Sequence, residues 1–265
     1  MDIKMKLVVL SFDDGRRDTF LNAIQVAKEY NIPLTINITS NFIENPDLYS
    51  QFASGANMAM TVDQVLESQK MGNEIACHGH THCNTTEDVI KNIEVLKKWG
   101  VDTTGIGFAS PYSALTEDGI GPFADMLGNE ISYIRSGRQV RREGLFYSFK
   151  YFVQQTIHSN ILFFDVNRKA IIKSKQQIPF YYGISITRYT TLSQLRYFID
   201  KMPDDSGAIF IFHSILSSDE PGYGADKWYW DKEAFDGLCK FLTKNNRTTV
   251  VTNKQLNERF CNVFN

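Results

Sequence analysis

Chemically active side chains cluster in two short stretches of this sequence. Residues 78–82 read HGHTH and hold three of the chain's five histidines. His78 and His82 are four residues apart, a spacing that brings two imidazole nitrogens to one side of a helical turn. A catalytic zinc normally takes three protein ligands, and the stretch SFDDG at 11–15 supplies two adjacent carboxylates. Together the two stretches predict a metal site.

The two adjacent carboxylates are expected to have different roles. Like charges raise the pKa of one member of a close pair, unless a cation keeps the other ionised. With Asp14 as a metal ligand, Asp13 remains available to take a proton from water whose pKa the metal has lowered. A DDG sequence after a strand is also common in plain turns, so this pair indicates a site only together with the histidines.

Other coordination chemistries fit the same residues. Cys77 and Cys83 flank the histidines and would allow a cysteine–histidine zinc site, although strand alternation points Cys77 away from His78. Two histidines and one carboxylate also bind iron in oxygenases. His80, between the two expected ligands, is predicted to form a supporting hydrogen bond or to lie in a solvated loop.

Strand-like and helix-like segments alternate along the whole chain, as in a parallel α/β fold of about seven units. Apolar and β-branched runs predict strands at 6–12, 34–39, 74–78, 105–110, 131–136, 180–186, 208–213 and 248–251. Helical spacing predicts helices at 18–30, 62–71, 87–99, 116–127, 191–201 and 231–243, with a short one after Thr252. Segment 138–179 has no clear periodicity, and its structure is left open.

The candidate residues come from separate strands but from equivalent positions. In parallel α/β barrels the active site lies at the C-terminal ends of the strands. The residues at or just past a predicted strand end are Asp13 and Asp14, His78 to His82, Pro111 and Tyr112, Arg135, and His213. We therefore expect them to converge on one mouth of a closed or nearly closed barrel.

The composition limits the class of protein. The 265 residues are 43% hydrophobic with a formal net charge of -2, enough for one large core but without a basic surface for nucleic acid or anionic membranes. No run reaches the ~20 apolar residues that a membrane span requires. The N-terminal KLVVLSF is typical of a strand rather than a signal peptide, and the four cysteines lack disulfide-type spacing. These features predict a cytoplasmic protein.

Four motifs, in order and spacing, resemble the polysaccharide deacetylase family (carbohydrate esterase family four). They are SFDDG at 11–15, HGHTH at 78–82, FASPYS at 108–113 and IFIFHS at 209–214. The closing part, with Trp228, Trp230, Phe235 and VVTNKQL, is also similar. The resemblance covers nearly the whole chain. It implies an α/β fold in which one domain, 1–265, forms a distorted (β/α) barrel with outer helices and binds a divalent metal, usually Zn²⁺.

The resemblance also implies a role for each site residue. Asp14, His78 and His82 match the family's metal ligands, and Asp13 matches the general base. His213 matches the general acid that protonates the departing amine.

The same resemblance gives Tyr112 a backbone N–H that supports the oxyanion, and it shows two departures. The family's arginine before Pro-Tyr is missing at 108–110, where Arg135 is the candidate replacement. The Asp-Trp motif that orients the acid histidine has no clear match, and Asp165 is a candidate.

The implied reaction is removal of an N-acetyl group from an amino sugar, in a saccharide or sugar conjugate of surface-polysaccharide metabolism. Trp228, Tyr229 and Trp230 offer a wall on which a sugar could stack, with at least one tryptophan expected in the core. Two alternatives remain open. One is hydrolysis of another non-peptide C–N bond, as in deformylases or allantoinases, and the other is a catalytically silent carbohydrate-binding barrel.

Overall fold

Seven parallel strands form a closed ring in chain order. The computed structural model describes residues 5–52, 58–138, 144–173 and 175–261. The strands are β1 (Lys6–Phe12), β2 (Thr35–Ile38), β3 (Glu74–Cys77), β4 (Phe108–Ala109), β5 (Ile134–Gly137), β6 (Phe180–Ser185) and β7 (Gly207–Phe212). Each pairs with the next, and β1 also pairs with β7. This confirms the predicted α/β fold with about seven parallel strands in a distorted ring.

The ring closes at β1, which pairs with the last strand of the ring as well as with the second. Residues 7–12 of β1 pair in register with 207–212 of β7, whereas only Ser11 and Phe12 pair with β2. A further parallel strand, β10 (Thr248–Val250), pairs with the first half of β1. Beyond β7, the short strands β8 (Ser214–Leu216) and β9 (Tyr229–Asp231) form a separate two-stranded sheet.

Helices surround the ring, and the last of them packs against its N-terminal end. They are α1 (Gln25–Glu29), α2 (Ser40–Glu44), α3 (Pro46–Phe52), α4 (Val62–Lys70), α5 (Thr86–Trp99), α6 (Leu145–Ile157), α7 (Asn160–Asn167), α8 (Leu192–Lys201), α9 (Lys232–Lys244) and α10 (Asn253–Phe260). A π-helical turn, Thr19–Ile24, precedes α1. Capping boxes at Thr61, Thr191 and Thr252 satisfy the first N–H groups of α4, α8 and α10. Every helix among the described residues is too short or too polar to cross a bilayer.

Strand alternation divides the core into two parts. On β1, Val8, Leu10 and Phe12 are buried in the large cluster that includes the outer helices. Val9 belongs to a smaller cluster inside the ring, together with Tyr133, Tyr181, Ile209, Ile211 and two residues of α10, Leu256 and Phe260. Because α10 covers the N-terminal end of the ring, that end is apolar. The polar residues that follow the strands lie at the opposite, C-terminal end.

The structure differs from the predicted helices in one segment and assigns helices to another segment that was left open. The predicted helix at 116–127 is wrong, because the chain forms two short 3₁₀ segments, Glu117–Gly119 and Gly121–Met126. Gly119 and Gly121 favour a flexible backbone, and Pro122 cannot donate a helical hydrogen bond. The segment left open at 138–179 contains α6 and α7. That 1–265 is one domain stays a prediction.

Candidate active site

A cavity of about 780 Å³ opens at the C-terminal ends of the strands. Six of the seven predicted site residues line it, namely Asp13, Asp14, His78, His82, Tyr112 and His213. The seventh, Arg135, is fully buried and pairs with Asp13. The structure therefore brings all seven together.

Asp14, His78 and His82 form a compact triad with the dimensions of a metal site. The Oδ1 atom of Asp14 lies 3.5 Å from Nε2 of His78 and 3.5 Å from Nε2 of His82. In a tetrahedral zinc site with ligands at about 2.1 Å from the ion, ligand atoms are about 3.4 Å apart. All three side chains are buried. The residues present fit a divalent cation of this size.

The tautomer of His78 also suits metal binding. Its Nδ1 atom lies 2.7 Å from the carbonyl oxygen of Ala109. A carbonyl oxygen only accepts, so Nδ1 carries the proton and Nε2 presents its lone pair towards Asp14. Strand alternation places Cys77 on the other side, with Sγ 3.8 Å from the carbonyl oxygen of Val89. Burial raises the pKa of Cys77, and its side chain lies outside the group formed by Asp14, His78 and His82.

The backbone is strained at three of the site residues. Asp14, His82 and Tyr112 have φ values of 75°, 62° and 55°, in the left-handed region that side chains rarely adopt. Such a conformation costs on the order of 1–3 kcal/mol per residue and is typical of functional sites. The ring of Tyr112 packs edge-on against that of His82 at 4.4 Å.

The side chain of Asp88 in α5 stabilises the loop that contains the two ligand histidines. Its carboxylate accepts hydrogen bonds from the backbone N–H groups of Thr81 and Cys83. Gly79 is required there, because a Cβ would lie 2.6 Å from Asp88 Oδ2. His80 points away from the triad, with Nδ1 2.8 Å from the hydroxyl of Ser40, as one of the two predictions for this residue stated.

Asp13 is held by charge and by hydrogen bonds inside the ring. Arg135 donates to its Oδ1, and the side-chain amide of Asn37 donates to the same atom at 2.8 Å. Burial acts to raise the pKa of Asp13, but Arg135, together with His78 and His213, outweighs it and the pKa lies below its usual value. Arg135, from the strand β5, thus provides the guanidinium that pairs with Asp13.

Sequence reasoning missed Arg16, which fixes Asp14. Its Nε and Nη2 atoms donate to Oδ2 of Asp14 at 3.0 and 2.8 Å, and Nη1 donates to Ser214 Oγ at 3.0 Å. Burial acts to raise the pKa of Asp14, but Arg16 and the two histidines keep it well below the usual value. With Oδ2 occupied, Oδ1 is the oxygen that faces the histidines. The adjacent Arg-Arg pair in GRRD is a weak signal, because such pairs are usually solvated.

His213 lines the same cavity as the triad. It is packed against Trp228, with ring centroids 4.7 Å apart, and burial lowers its pKa to about 4. Within the described ranges, its Nδ1 has no hydrogen-bond partner. The prediction that Asp165 orients it is wrong, since Asp165 pairs with Lys150 and Arg168.

Of the two tryptophans expected to contact sugar, one is in the core. Trp230 is buried and donates its Nε1–H to the carbonyl oxygen of Thr190 at 2.6 Å. Trp228 lines the cavity.

Comparisons with known proteins agree with the sequence resemblance. A family model described as polysaccharide deacetylase matches residues 2–120. A bifunctional xylanase/deacetylase of Pseudobutyrivibrio xylanivorans is 30% identical over 115 residues, which are 40% of this chain. The chain spans only 17% of the length of that relative.

Solved structures share the fold at low sequence identity. A putative polysaccharide deacetylase from Mycobacterium smegmatis superposes with a TM-score of 0.56 at 12% identity, covering 98% of this chain and 91% of that one. A family 4 carbohydrate esterase from Bacillus anthracis gives 0.54 at 14% identity, covering 97% and 85%. These similarities establish the ring of parallel strands.

Proposed function

We propose that this chain, whose residues 2–120 match the polysaccharide deacetylase family model, is a metal-dependent hydrolase that removes the acetyl group from an N-acetylated amino sugar. The substrate is a saccharide or sugar conjugate of surface-polysaccharide metabolism. The observation that carries this proposal is the convergence of Asp13 and the triad of Asp14, His78 and His82 on one cavity. A bound divalent cation, which we take to be Zn²⁺, would supply Lewis-acid activation of water and of the acetyl carbonyl.

Asp13 is the proposed general base. Its Oδ1 is occupied by Arg135 and Asn37, which leaves Oδ2 to accept a proton from the attacking water. The depressed pKa keeps the carboxylate ionised at neutral pH. General-base catalysis of this kind contributes ~10²–10⁴-fold to a rate.

His213 is the proposed proton donor to the departing nitrogen. Amide hydrolysis must deliver one proton to that nitrogen as the C–N bond breaks, and the attacking water gives up one proton. With a pKa of about 4, His213 is neutral at pH 7 and can take up a proton during turnover and pass it to the amine. The backbone N–H of Tyr112, whose ring packs against that of His82, remains the candidate donor to the developing oxyanion.

The dimensions of the cavity agree with a saccharide. Its volume of about 780 Å³ lies within the usual range of small-molecule sites. Trp228, which packs against His213, and Tyr189 offer aromatic surface in the cavity on which a sugar ring can stack.

The proposal is tested by measuring metal content and acetate release on the same samples. Wild type is expected to hold about one zinc per chain and to release acetate from an N-acetylchitooligosaccharide. His78→Ala should lose both, because it removes one of the three ligands. His80→Ala is the matched control, since its ring contacts Ser40 outside the triad, and it should keep the metal.

Other outcomes point to other substrates. Metal without acetate from the N-acetylated sugar, but with acetate from acetylated xylan, would indicate an ester substrate. Metal without acetate from either would favour a different C–N bond. Full activity in metal-free His78→Ala would exclude the proposed chemistry.

A further inference from the structure

Helix α6 presents an apolar face to solvent. Leu145 is 92% exposed, and Phe149 and Phe152 are each 66% exposed. These three residues are spaced by four and three positions, so they lie within about 60° of one another around the helix axis. Phe146 continues the face on one side, and the exposed Ile157 at the end of α6 and Ile161 in the first turn of α7 lie beside it along the chain. We refer to these six side chains as the outer face.

The opposite side of α6, which faces the protein, is the more polar one. Gln154 is 3% exposed and accepts a hydrogen bond from Gln194 of α8 at 3.1 Å. Tyr151 and Gln155 line the cavity. A helix on the surface of a globular protein normally has the reverse arrangement, with its apolar stripe buried. A contiguous exposed patch of this kind marks an interaction surface.

Cations stacked on aromatic rings flank the outer face. Lys150 lies over the ring of Phe146 at 4.6 Å, and Lys169 lies over that of Tyr147 at 4.8 Å. Residues 144–170 hold the cations Lys150, Arg168 and Lys169 against one acid, Asp165, in a chain whose net charge is -2. The local surface is therefore positive on an otherwise slightly acidic protein.

Cations also stack on aromatic rings at the rim of the cavity. Arg188 lies over the ring of Tyr189 at 4.9 Å, and Lys227 lies over that of Trp228 at 4.5 Å. Both Tyr189 and Trp228 line the cavity, as does Phe152 of the outer face. The outer face and the cavity mouth are thus continuous.

We propose that the outer face docks on the surface of an anionic lipid bilayer, with the cavity mouth at the level of the headgroups. Apolar side chains framed by cations and aromatic rings are the composition of interfacial helices, whose apolar side enters the headgroup boundary. Anionic headgroups complement the local positive charge. A second copy of the chain is a poorer occupant, because a symmetric contact would bring the same cations together. The docking is independent of the proposed reaction.

The experiment is co-sedimentation of the full chain with vesicles. Wild type is expected to bind vesicles of mixed phosphatidylglycerol and phosphatidylcholine, and to bind pure phosphatidylcholine much more weakly. Added salt should weaken the first interaction, since it screens the cations. The double variant Leu145→Gln, Phe149→Gln should bind about tenfold less tightly or worse, because two exposed apolar anchors are lost.

Two further variants separate the apolar and the charged contributions. Ile90→Gln is the matched control, an exposed apolar residue on α5, and should bind as wild type does. Lys169→Glu should weaken binding to the anionic vesicles only. Failure of wild type to bind either vesicle, or equal binding by the double variant, would overturn the proposal. A wild-type dimer that the double variant converts to a monomer would assign the outer face to a second copy and would also overturn it.

Discussion

The guanidinium of Arg135 is paired with the carboxylate of Asp13 across the interior of the ring, although β5 and β1 are not neighbours in the sheet. Both residues point inward because each occupies an inward position of the strand alternation. Within the described residues, Nε and Nη1 of Arg135 have no hydrogen-bond partner. Asp13 is therefore the counter-charge of a fully buried arginine.

Replacing Arg135 should raise the pKa of Asp13, because the strongest effect that opposes burial is then lost. We expect Arg135→Met to retain its metal but to lose at least ~10²-fold in kcat at pH 7, with activity partly recovered at higher pH. The measurement is a pH–rate profile alongside metal analysis. An unshifted profile would separate Arg135 from the base. Arg135→Lys is the matched control and should shift the profile less.

Asp13→Asn should keep the metal triad and lose turnover by ~10²-fold or more, since an amide cannot accept the proton. The same change leaves Arg135 without a buried counter-charge, which costs about 3–5 kcal/mol in unfolding free energy. Metal content, kcat and urea denaturation on one preparation test both effects. Activity near that of wild type would show that another group is the base. The double variant Asp13→Asn, Arg135→Met should recover stability but not activity.

Arg16→Met should weaken metal binding, because Asp14 would lose the two hydrogen bonds that hold its carboxylate in place. Loss of such a supporting contact typically costs about 10–100-fold in metal affinity. Competition with a chelator measures the affinity, and kcat at saturating metal should fall less than the affinity does. Arg17→Met is the adjacent control, since its guanidinium contacts Met58 instead. Equal affinities in the two variants would show that Arg16 does not position Asp14.

Asp18 should make stability depend on pH. Burial raises its pKa to about 6, although Arg16 and hydrogen bonds from Ile215 and Ser214 oppose this. Its unfolded-state pKa is near 3.9. The native state thus binds more protons between these values, and this contribution to stability falls as pH rises from about 4 to about 6.

Asp18→Asn should remove that decline. Urea denaturation from pH 4 to pH 8 would show a difference in unfolding free energy between wild type and variant that changes up to about pH 6 and is then constant. A difference that is the same at every pH would mean that Asp18 is ionised throughout.

The parts of the site that sequence reasoning found share one property. Asp13, His78 and His213 each follow an apolar strand, and strand alternation fixes their direction once the sheet is parallel. Arg135 was recognisable for the same reason, as a cation at the end of a predicted strand.

The parts it missed depend on contacts between distant segments. Arg16 is buried because β8 packs beside the turn after β1 and provides Ser214 as a hydrogen-bond partner. Asn37 lies in β2, and its hydrogen bond to Asp13 depends on the pairing of β2 with β1. The helices in segment 138–179 were not predicted from the spacing of apolar residues, for another reason. Apolar residues at helical spacing normally mark the buried face of a helix, whereas on α6 they mark the face that is exposed to solvent.

The closure of the ring has a consequence for how the protein is made. Leu7 pairs with Gly207, 200 positions further along the chain. During synthesis, one edge of β1 therefore waits until almost four-fifths of the chain has emerged, and an unpaired edge invites pairing with other chains. A fragment ending at residue 120, where the family model stops matching, would hold Asp14, His78 and His82 but neither Arg135 nor the strand that seals the ring. The ligands come early in the chain, and the barrel that makes them a site is completed late.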